Sequence, residues 1–504
     1  MQPQIAVIDY GSQYSQLIVR RLRELGYFAK LFLPERLREI GSPAAVILSG
    51  GPRSVSEPGA PDVDLDFLVG LNVPVLGVCY GMQLLNKRFG GTVRPGTTRE
   101  YGPAALTVVE PDALFPGVTD RSIVWMSHSD TCEALPPGTR LLARNPEGKP
   151  VALRWNERFF GIQFHPEVTH SVEGTRILGN FLALLQEPPR FSVEAFKREL
   201  IENLHRQAAG RKVVCGVSGG VDSTVLAKLL HDAEIPLQAI FVDNGLLRKD
   251  EAAEVRENFR RMGIPLDAVD ASEQFLSALR GVTDPEEKRR IIGNTFLDVF
   301  WAHAGEVDLF AQGTLYPDVI ESATSGSDAS RIKTHHNRVD RVLELQRQGK
   351  VIEPLSELFK DEVRALGASL GIAHDLLWRH PFPGPGLAVR TPGEITREKL
   401  DILREADAIY IQTLRRTGWY EKIWQACTTL LPCKTVGVKG DERAYDYPVV
   451  LRAVVSEDAM TADWVRLPPE ILAEISHRIL NEVRHVNRVL YDISTKPPAS
   501  IEWE

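Results

Sequence analysis

Short apolar runs alternate with amphipathic stretches through most of the chain. Residues 5–8 (Ile-Ala-Val-Ile), 45–48, 73–78 and 160–164 are runs of strand length. Between the first two, residues 16–25 set Leu17, Ile18, Leu22 and Leu25 at helical spacing, and Gly26 closes the segment. Apolar strands separated by helices predict a parallel sheet covered on both faces. The pattern repeats after a linker-like Glu187-Pro188-Pro189-Arg190: residues 213–217, 237–242, 264–269 and 307–311 read as strands. A helix follows 217 with Val225, Leu226, Leu229 and Leu230 on one face, and 251–262 reads as a charged helix. From His380-Pro381-Phe382-Pro383-Gly384-Pro385-Gly386 onward the texture changes, with helices at 394–416 and 469–483 and strands at 449–455 and 488–491. The expected class is α/β: two doubly wound parallel-sheet domains, 1–186 and 187–380, followed by a smaller α+β C-terminal domain, 381–504.

Composition narrows the function classes. The net charge of -8 over 504 residues argues against a general nucleic-acid or membrane-surface binder. No apolar run reaches the roughly 18 residues of a membrane span, and Met1-Gln2-Pro3-Gln4 has no leader pattern. Five scattered cysteines do not suggest a disulfide framework, so a cytoplasmic setting is expected.

Ligands bind at the carboxyl ends of strands in such sheets, and Cys79 lies at one. It stands in Gly77-Val78-Cys79-Tyr80-Gly81-Met82-Gln83. Glycines two residues to either side permit a sharp strand-to-helix turn, the cysteine counterpart of the G-x-S-x-G elbow. That turn puts sulfur at a helix N-terminus, where the dipole favours thiolate. It also aims backbone N–H groups at a developing oxyanion. A lone cysteine after an apolar strand is otherwise a packed small hydrophobe. A thiolate needs a base, and the base an orienter. His165 follows the 160–164 strand, and Glu167 reaches it across Pro166. Cys79, His165 and Glu167 are therefore the candidate catalytic set.

The second domain opens on Ser218-Gly219-Gly220-Val221-Asp222-Ser223-Thr224, directly after the 213–217 strand. Two glycines let backbone N–H groups approach a ligand, three hydroxyls stand by, and the helix N-terminus adds positive potential; the whole suits phosphate. The usual nucleotide-loop lysine is missing, and Asp222 stands there instead. A carboxylate beside polyphosphate needs a bridging cation, so Asp222 is expected to hold Mg²⁺. The strand ends after 217, 242 and 311 should meet at one crevice, which brings in Val242 and Gly313. Asp243 and Asn244 read equally well as turn residues. Lys288-Arg289-Arg290, Lys333 and Lys360 read as solvated helix faces or as cations near the crevice. Transferring phosphorus needs positive charge beyond a metal ion. Lys360 is expected early in a helix opened by Ser356. The C-terminal module lacks a nucleotide loop and reads as a homodimerisation module.

The string Ser-Gly-Gly-Val-Asp-Ser resembles the loop of ATP pyrophosphatases, which grip pyrophosphate and release AMP. Residues 1–186 resemble a class I glutamine amidotransferase domain. The matching pieces are Ser49-Gly50-Gly51-Pro52, the Cys79 elbow, Ser127-His128-Ser129-Asp130, and His165 with Glu167, with Ser129 where relatives have Gly. This implies that Cys79 attacks the glutamine side-chain amide to form a thioester and release ammonia. It further implies an oxyanion hole from the Gly51 and Tyr80 N–H groups, and glutamine near Gln83, Ser127, His128 and Asp130. Nearly the whole chain resembles the glutamine-hydrolysing GMP synthetase family, through 218–224, 312–318, 379–390 and the Lys496-Pro497-Pro498…Ile501-Glu502-Trp503-Glu504 tail. That resemblance implies Mg·ATP-dependent adenylation of xanthosine 5'-monophosphate (XMP), then displacement of AMP by ammonia. It implies ATP on residues 218–224, Val242 and Gly313, with Lys333 and Lys360 as phosphate cations. The tail would fold into the crevice, Lys496 and Glu502 contacting XMP and Arg289 its phosphate. One stretch departs from the family: Arg338-Val339-Asp340-Arg341-Val342 replaces a Gly-Gly-Leu-Pro-like turn in what resembles a lid, 325–345. The rival readings are an adenylating amidotransferase with another acceptor, such as nicotinate adenine dinucleotide, and a silent nucleotide sensor. The Cys79 domain and the tail weigh against the first, and the intact Cys79, His165, Glu167 and Asp222 against the second.

Overall fold

Unbroken apolar runs have no face to show to water, and four of them lie buried side by side. In the order Ala29–Phe32, Ile5–Ile8, Ala45–Leu48, Val75–Val78 and Phe159–Ile162 they and one further strand form the parallel part of an eight-stranded sheet. Every residue of the last four is buried. The sheet continues antiparallel through Pro150–Arg154, Arg140–Arg144 and Thr107–Val108. The computed structural model describes residues 3–185, 191–319, 336–439, 441–456 and 461–504, in two compact units, Met1–Glu199 and Leu200–Glu504. The linker at 187–190 lies outside the described residues.

The first unit also holds a two-stranded antiparallel sheet, Thr92–Ala105 with Ile123–Ala134. Its inward positions on the second strand are Val124, Met126, His128, Asp130 and Cys132, all buried. Two of these five are polar, so hydrophobic alternation does not reveal the strand. The antiparallel strands of the larger sheet are hidden for a related reason: Arg140, Arg144 and Arg154 sit at their ends.

In the second unit the parallel strands run in the order Leu266–Asp270, Leu237–Asp243, Val213–Val217, Leu309–Ala311 and Val351–Ile352. The ends at 217, 243 and 311 are therefore neighbours. Farther along, Gln425–Leu430, Glu442–Val455 and Thr435–Lys439 form an antiparallel sheet, joined in parallel by Val486–Tyr491. One apolar cluster joins Val214, Ile240 and Leu246 to Leu387, Tyr410, Leu451 and Ile475, so both sheets of this unit share a core. Among the described residues no helix is long and apolar enough to cross a membrane.

One expected helix start is corrected. The helix runs Lys360–Ser369 and does not open at Ser356. The Ser356 hydroxyl turns back to the Glu353 carbonyl at 2.7 Å, so it is not free to cap. Instead the Glu362 carboxylate accepts the Phe359 N–H at 2.8 Å, tying down the first turn.

His380 sits where the parallel-sheet segment gives way to the C-terminal elements. Its ring stacks on Tyr420 with centroids 3.7 Å apart. Nε2 donates to the Tyr420 carbonyl at 2.8 Å, and Nδ1 accepts from the Ala426 N–H at 3.2 Å. One donor and one acceptor fix the neutral tautomer. Burial, with the charges of Arg248 and Arg415 acting the same way, pushes the ring's pKa down to about 4. The unfolded chain takes up this proton near pH 6.5, the folded chain only near 4. Stability therefore falls as pH drops through that window, by about 3 kcal/mol at full extent. Scanning calorimetry should show the second unit's midpoint falling between about pH 6.5 and 4.5, and falling less in His380→Gln. Parallel curves for the two proteins would remove His380 from this role.

Candidate active sites

Cys79 separates the strand Val75–Val78 from the helix Tyr80–Arg88 and has φ +51°, ψ -104°. That conformation is costly for an L-residue, so the strain of the turn falls on Cys79 itself. Gly77 and Gly81 do not take up positive φ; what they supply is space. A Cβ on Gly77 would lie 2.6 Å from the Gly81 backbone, and one on Gly81 would lie 2.3 Å from the Leu48 carbonyl oxygen.

The Cys79 sulfur lies 3.7 Å from the Ser127 carbonyl oxygen and is hydrogen-bonded to His165. His165 Nδ1 is 2.7 Å from Glu167 Oε1, and Glu167 is fully buried. Burial works against a charged imidazole. The Glu167 carboxylate and the hydrogen bonds to Cys79 and Glu167 outweigh it, holding the His165 pKa well above its ordinary value. The ring is wedged by Tyr14, edge-on at 4.9 Å, and by Gly50, where a Cβ would come within 3.0 Å of Cε1. The arrangement provides a nucleophile, a proton acceptor and a buried anion orienting that acceptor.

Gly51, Tyr80, Gln83, Ser127, His128 and Asp130 line one cavity with Cys79 and His165. Gly51 packs against Tyr80, since a Cβ there would meet Tyr80 Cγ at 3.3 Å. The Gln83 amide donates to the Asp130 carbonyl at 3.0 Å and to Gln163 Oε1 at 3.2 Å, so this side chain braces the cavity wall. The Asp130 carboxylate accepts from Ser54. His128 Nδ1 meets the Asp130 carbonyl at 2.9 Å, and its Nε2 faces Glu100 at 3.4 Å. Glu100 is in turn held by Lys149 at 2.5 Å and Asn145 at 2.9 Å. Burial holds His128 below its ordinary pKa, although Glu100 pulls the other way. Tyr14, Ser54, Glu100 and Lys149 are additions to the sequence reading. Tyr14 and Ser54 follow the ends of the strands at Ile8 and Leu48, and that position was the signal for them.

In the second unit Ser218, Gly220, Asp222 and Ser223 border one crevice with Gln312 and Gly313. Ser218 Oγ and Ser223 Oγ are 3.1 Å apart, and Thr224 Oγ1 donates back to the Gly220 carbonyl at 2.8 Å. Gly313 passes Asp222 closely enough that a Cβ would contact it at 3.8 Å. Val221 is buried, and Val242 belongs to the apolar cluster, so the side chains of both are taken up in packing. Asp243 and Asn244 make side-chain turns, accepting the Gly245 and Leu246 N–H groups at 2.9 Å. Lys360 Nζ sits 2.6 Å from both oxygens of Asp222. Lys333 lies outside the described residues, as does the first part of the 325–345 stretch; residues from His336–Arg347 are helical.

The tail docks within this unit. Glu502 forms a bidentate pair with the fully buried Arg390, at 2.8 and 2.9 Å, and accepts from Gln425 at 2.5 Å. Arg289 donates to the Glu504 carbonyl. Lys288 is not on a solvated face: it is fully buried, with Nζ 2.5 Å from Glu504 Oε2 and 3.0 Å from the Thr391 carbonyl. A buried ammonium needs that degree of compensation. Lys496 pairs its backbone with Ala462 at 2.8 and 3.0 Å.

Removing the Glu167 charge lets His165 lose its proton at lower pH, so the cation beside sulfur disappears sooner. Alkylation of Cys79 by iodoacetamide at pH 6 should therefore slow about tenfold in Glu167→Gln. Peptide mass spectrometry measures this, and an unchanged rate would exclude Glu167 from tuning the pair.

The chain matches a family model described as glutamine amidotransferase class-I over residues 6–185, and one described as GMP synthase C terminal domain over residues 412–503. It is 50% identical over 514 residues to a glutamine-hydrolyzing GMP synthase of Carboxydothermus hydrogenoformans, covering 100% of both chains. Another protein of that name, from Natranaerobius thermophilus, is 49% identical over 513 residues, with 99% of each chain covered. Among solved structures, a glutamine amido transferase from Methylobacillus flagellatus is 17% identical with a TM-score of 0.31, covering 37% of this chain and 97% of its own. With about half of its residues identical to these full-length relatives, the chain belongs to the glutamine-hydrolysing GMP synthase family.

Proposed function

We propose that this chain makes GMP from XMP, taking nitrogen from glutamine and splitting ATP to AMP and pyrophosphate. The observation that carries the proposal is that one chain holds two sites of different chemistry. One is an activated cysteine on the first unit's sheet, and the other a phosphate-type loop carrying Asp222 where a lysine is usual. We assign the first role to residues 1–186, adenylation to 187–380, and dimerisation together with the acceptor tail to 381–504. The homodimer is supported by Val436, Val438 and Tyr445, which are exposed on paired strands of the C-terminal sheet. Free cysteines throughout the chain fit a cytoplasmic setting.

At the first site Cys79 Sγ attacks the glutamine amide carbon, with Gly51 and Tyr80 N–H groups stabilising the oxyanion. His165 delivers a proton to the departing nitrogen, ammonia leaves, and water then hydrolyses the glutamyl thioester with His165 as base. Glu167 keeps the imidazole oriented and its charged form favoured. Gln83, Ser127, His128 and Asp130 shape the glutamine side of the cavity.

At the second site residues 218–224 hold the ATP phosphates through N–H groups and hydroxyls, with the 242–243 strand end and Gly313 alongside. A hard divalent ion takes one or two carboxylates plus phosphate oxygens, and the Asp222 carboxylate at a helix start fits that donor set. Bound there, Mg²⁺ neutralises phosphate charge. Lys360 already neutralises Asp222, and it is the cation placed to move onto phosphate oxygen. The C2 oxygen of XMP takes the adenylyl group and pyrophosphate leaves. Ammonia then adds at C2, and AMP departs. Arg289, Lys496 and Glu502 are the proposed XMP contacts, with Lys333 a further phosphate cation.

With Mg²⁺, ATP, XMP and glutamine, AMP should appear one-for-one with GMP in a chromatographic assay; ADP formation, or turnover without a purine acceptor, would overturn the reading. Cys79→Ala should lose glutamine-dependent synthesis and keep ammonium-dependent synthesis. Asp222→Asn should lose both by about a hundredfold or more, and ammonium-dependent turnover at the native rate would take Asp222 out of the site.

A further inference from the structure

The peptide joining Gly219 to Gly220 is a partition between two cavities. On its front, Ser218, Gly220, Asp222 and Ser223 face the crevice. On its rear, Gly219 and Thr224 border a charged cleft with Glu251, Glu254 and Arg379. Arg379 grips the peptide from that rear side. Its Nη1 donates to the Gly219 carbonyl at 2.6 Å, and its Nη2 bonds the Glu251 carboxylate. Glu251 is itself buried and accepts the Arg248 N–H at 3.0 Å, so the anchor is fixed. A trans peptide points its N–H opposite to its carbonyl. The Gly220 N–H accordingly points to Ser218 Oγ at 3.2 Å, and that hydroxyl meets Ser223.

A glycine–glycine peptide has little intrinsic preference for one orientation. Gly219 is at φ +76°, and a Cβ there would strike Val255 Cγ2 at 2.7 Å. Turned the other way, the same peptide would present a carbonyl oxygen to the crevice, where it repels phosphate. We propose that Arg379 is a positioning residue for the phosphate loop. It holds the Gly219 carbonyl to the rear, so that the front offers N–H groups and hydroxyls to polyphosphate. Arginine suits the task because its planar fork serves two acceptors at a fixed angle, which a lysine ammonium does not reproduce. The inference rests on the assignment of this loop to ATP.

The test uses the full chain with Arg379→Met, Arg379→Lys and Glu251→Gln. Magnesium pyrophosphate binding is measured by titration calorimetry, and KM for ATP and kcat by ammonium-dependent synthesis. Glutamine hydrolysis serves as the control. Arg379→Met should weaken pyrophosphate binding by about tenfold or more and raise KM for ATP to match, with kcat within about threefold. Arg379→Lys should restore part of the affinity, Glu251→Gln should fall between, and glutamine hydrolysis should stay within about twofold in all three. Native pyrophosphate affinity in Arg379→Met overturns the proposal, as does a fall in kcat with KM unchanged. If Arg379→Met melts below the assay temperature, Arg379→Lys and Glu251→Gln decide, and native affinity in both overturns the proposal. No pyrophosphate binding by the unsubstituted chain overturns the ATP assignment and this proposal with it.

Discussion

The space denied to a Cβ at Gly77 and Gly81 governs the first unit. Because the helix Tyr80–Arg88 starts almost in contact with the strands beneath it, Cys79 must take a positive φ. That conformation puts Cys79 at the sheet's carboxyl edge in one cavity with His165, Gly51 and Tyr80. A methyl group at Gly81 would push the helix off Leu48 and undo the pocket from below. The strain at Cys79 persists because the surrounding backbone leaves no alternative path.

The second unit meets a different demand, which is holding many charges out of water. Lys288 with Glu504 and Arg390 with Glu502 each join a buried cation to a carboxylate, and Arg379, partly buried, joins the buried Glu251. Such pairs add little net stability over an apolar core, but losing one partner strands the other. They specify where the tail lies and how the loop after Val213–Val217 is oriented.

Strands whose residues are all apolar were legible, and so were turns marked by glycine around a reactive residue. This is why the parallel strands, the Cys79 elbow and the 218–224 loop could be read directly. The same rule fails where polar residues face inward. His128 and Asp130 occupy core-side positions of a strand, so alternation hides that strand, although the residues themselves were placed near glutamine by resemblance. Lys288, open in the sequence between a solvated face and a crevice cation, is enclosed by the tail. Ser356 looks like a helix cap until its hydroxyl is seen turned to Glu353. The Arg379–Glu251 pair has a separation of 128 residues and no local signature.

The hairpin residues proposed to recognise glutamine do not share a sheet with Cys79, the proposed nucleophile. Ser127, His128 and Asp130 ride on a two-stranded antiparallel sheet, while Cys79 caps a strand of the parallel one. A shift of the hairpin would therefore reshape the substrate end of the cavity and be felt at the strand-to-helix turn through the Ser127 and Asp130 carbonyls, which meet Cys79 and Gln83.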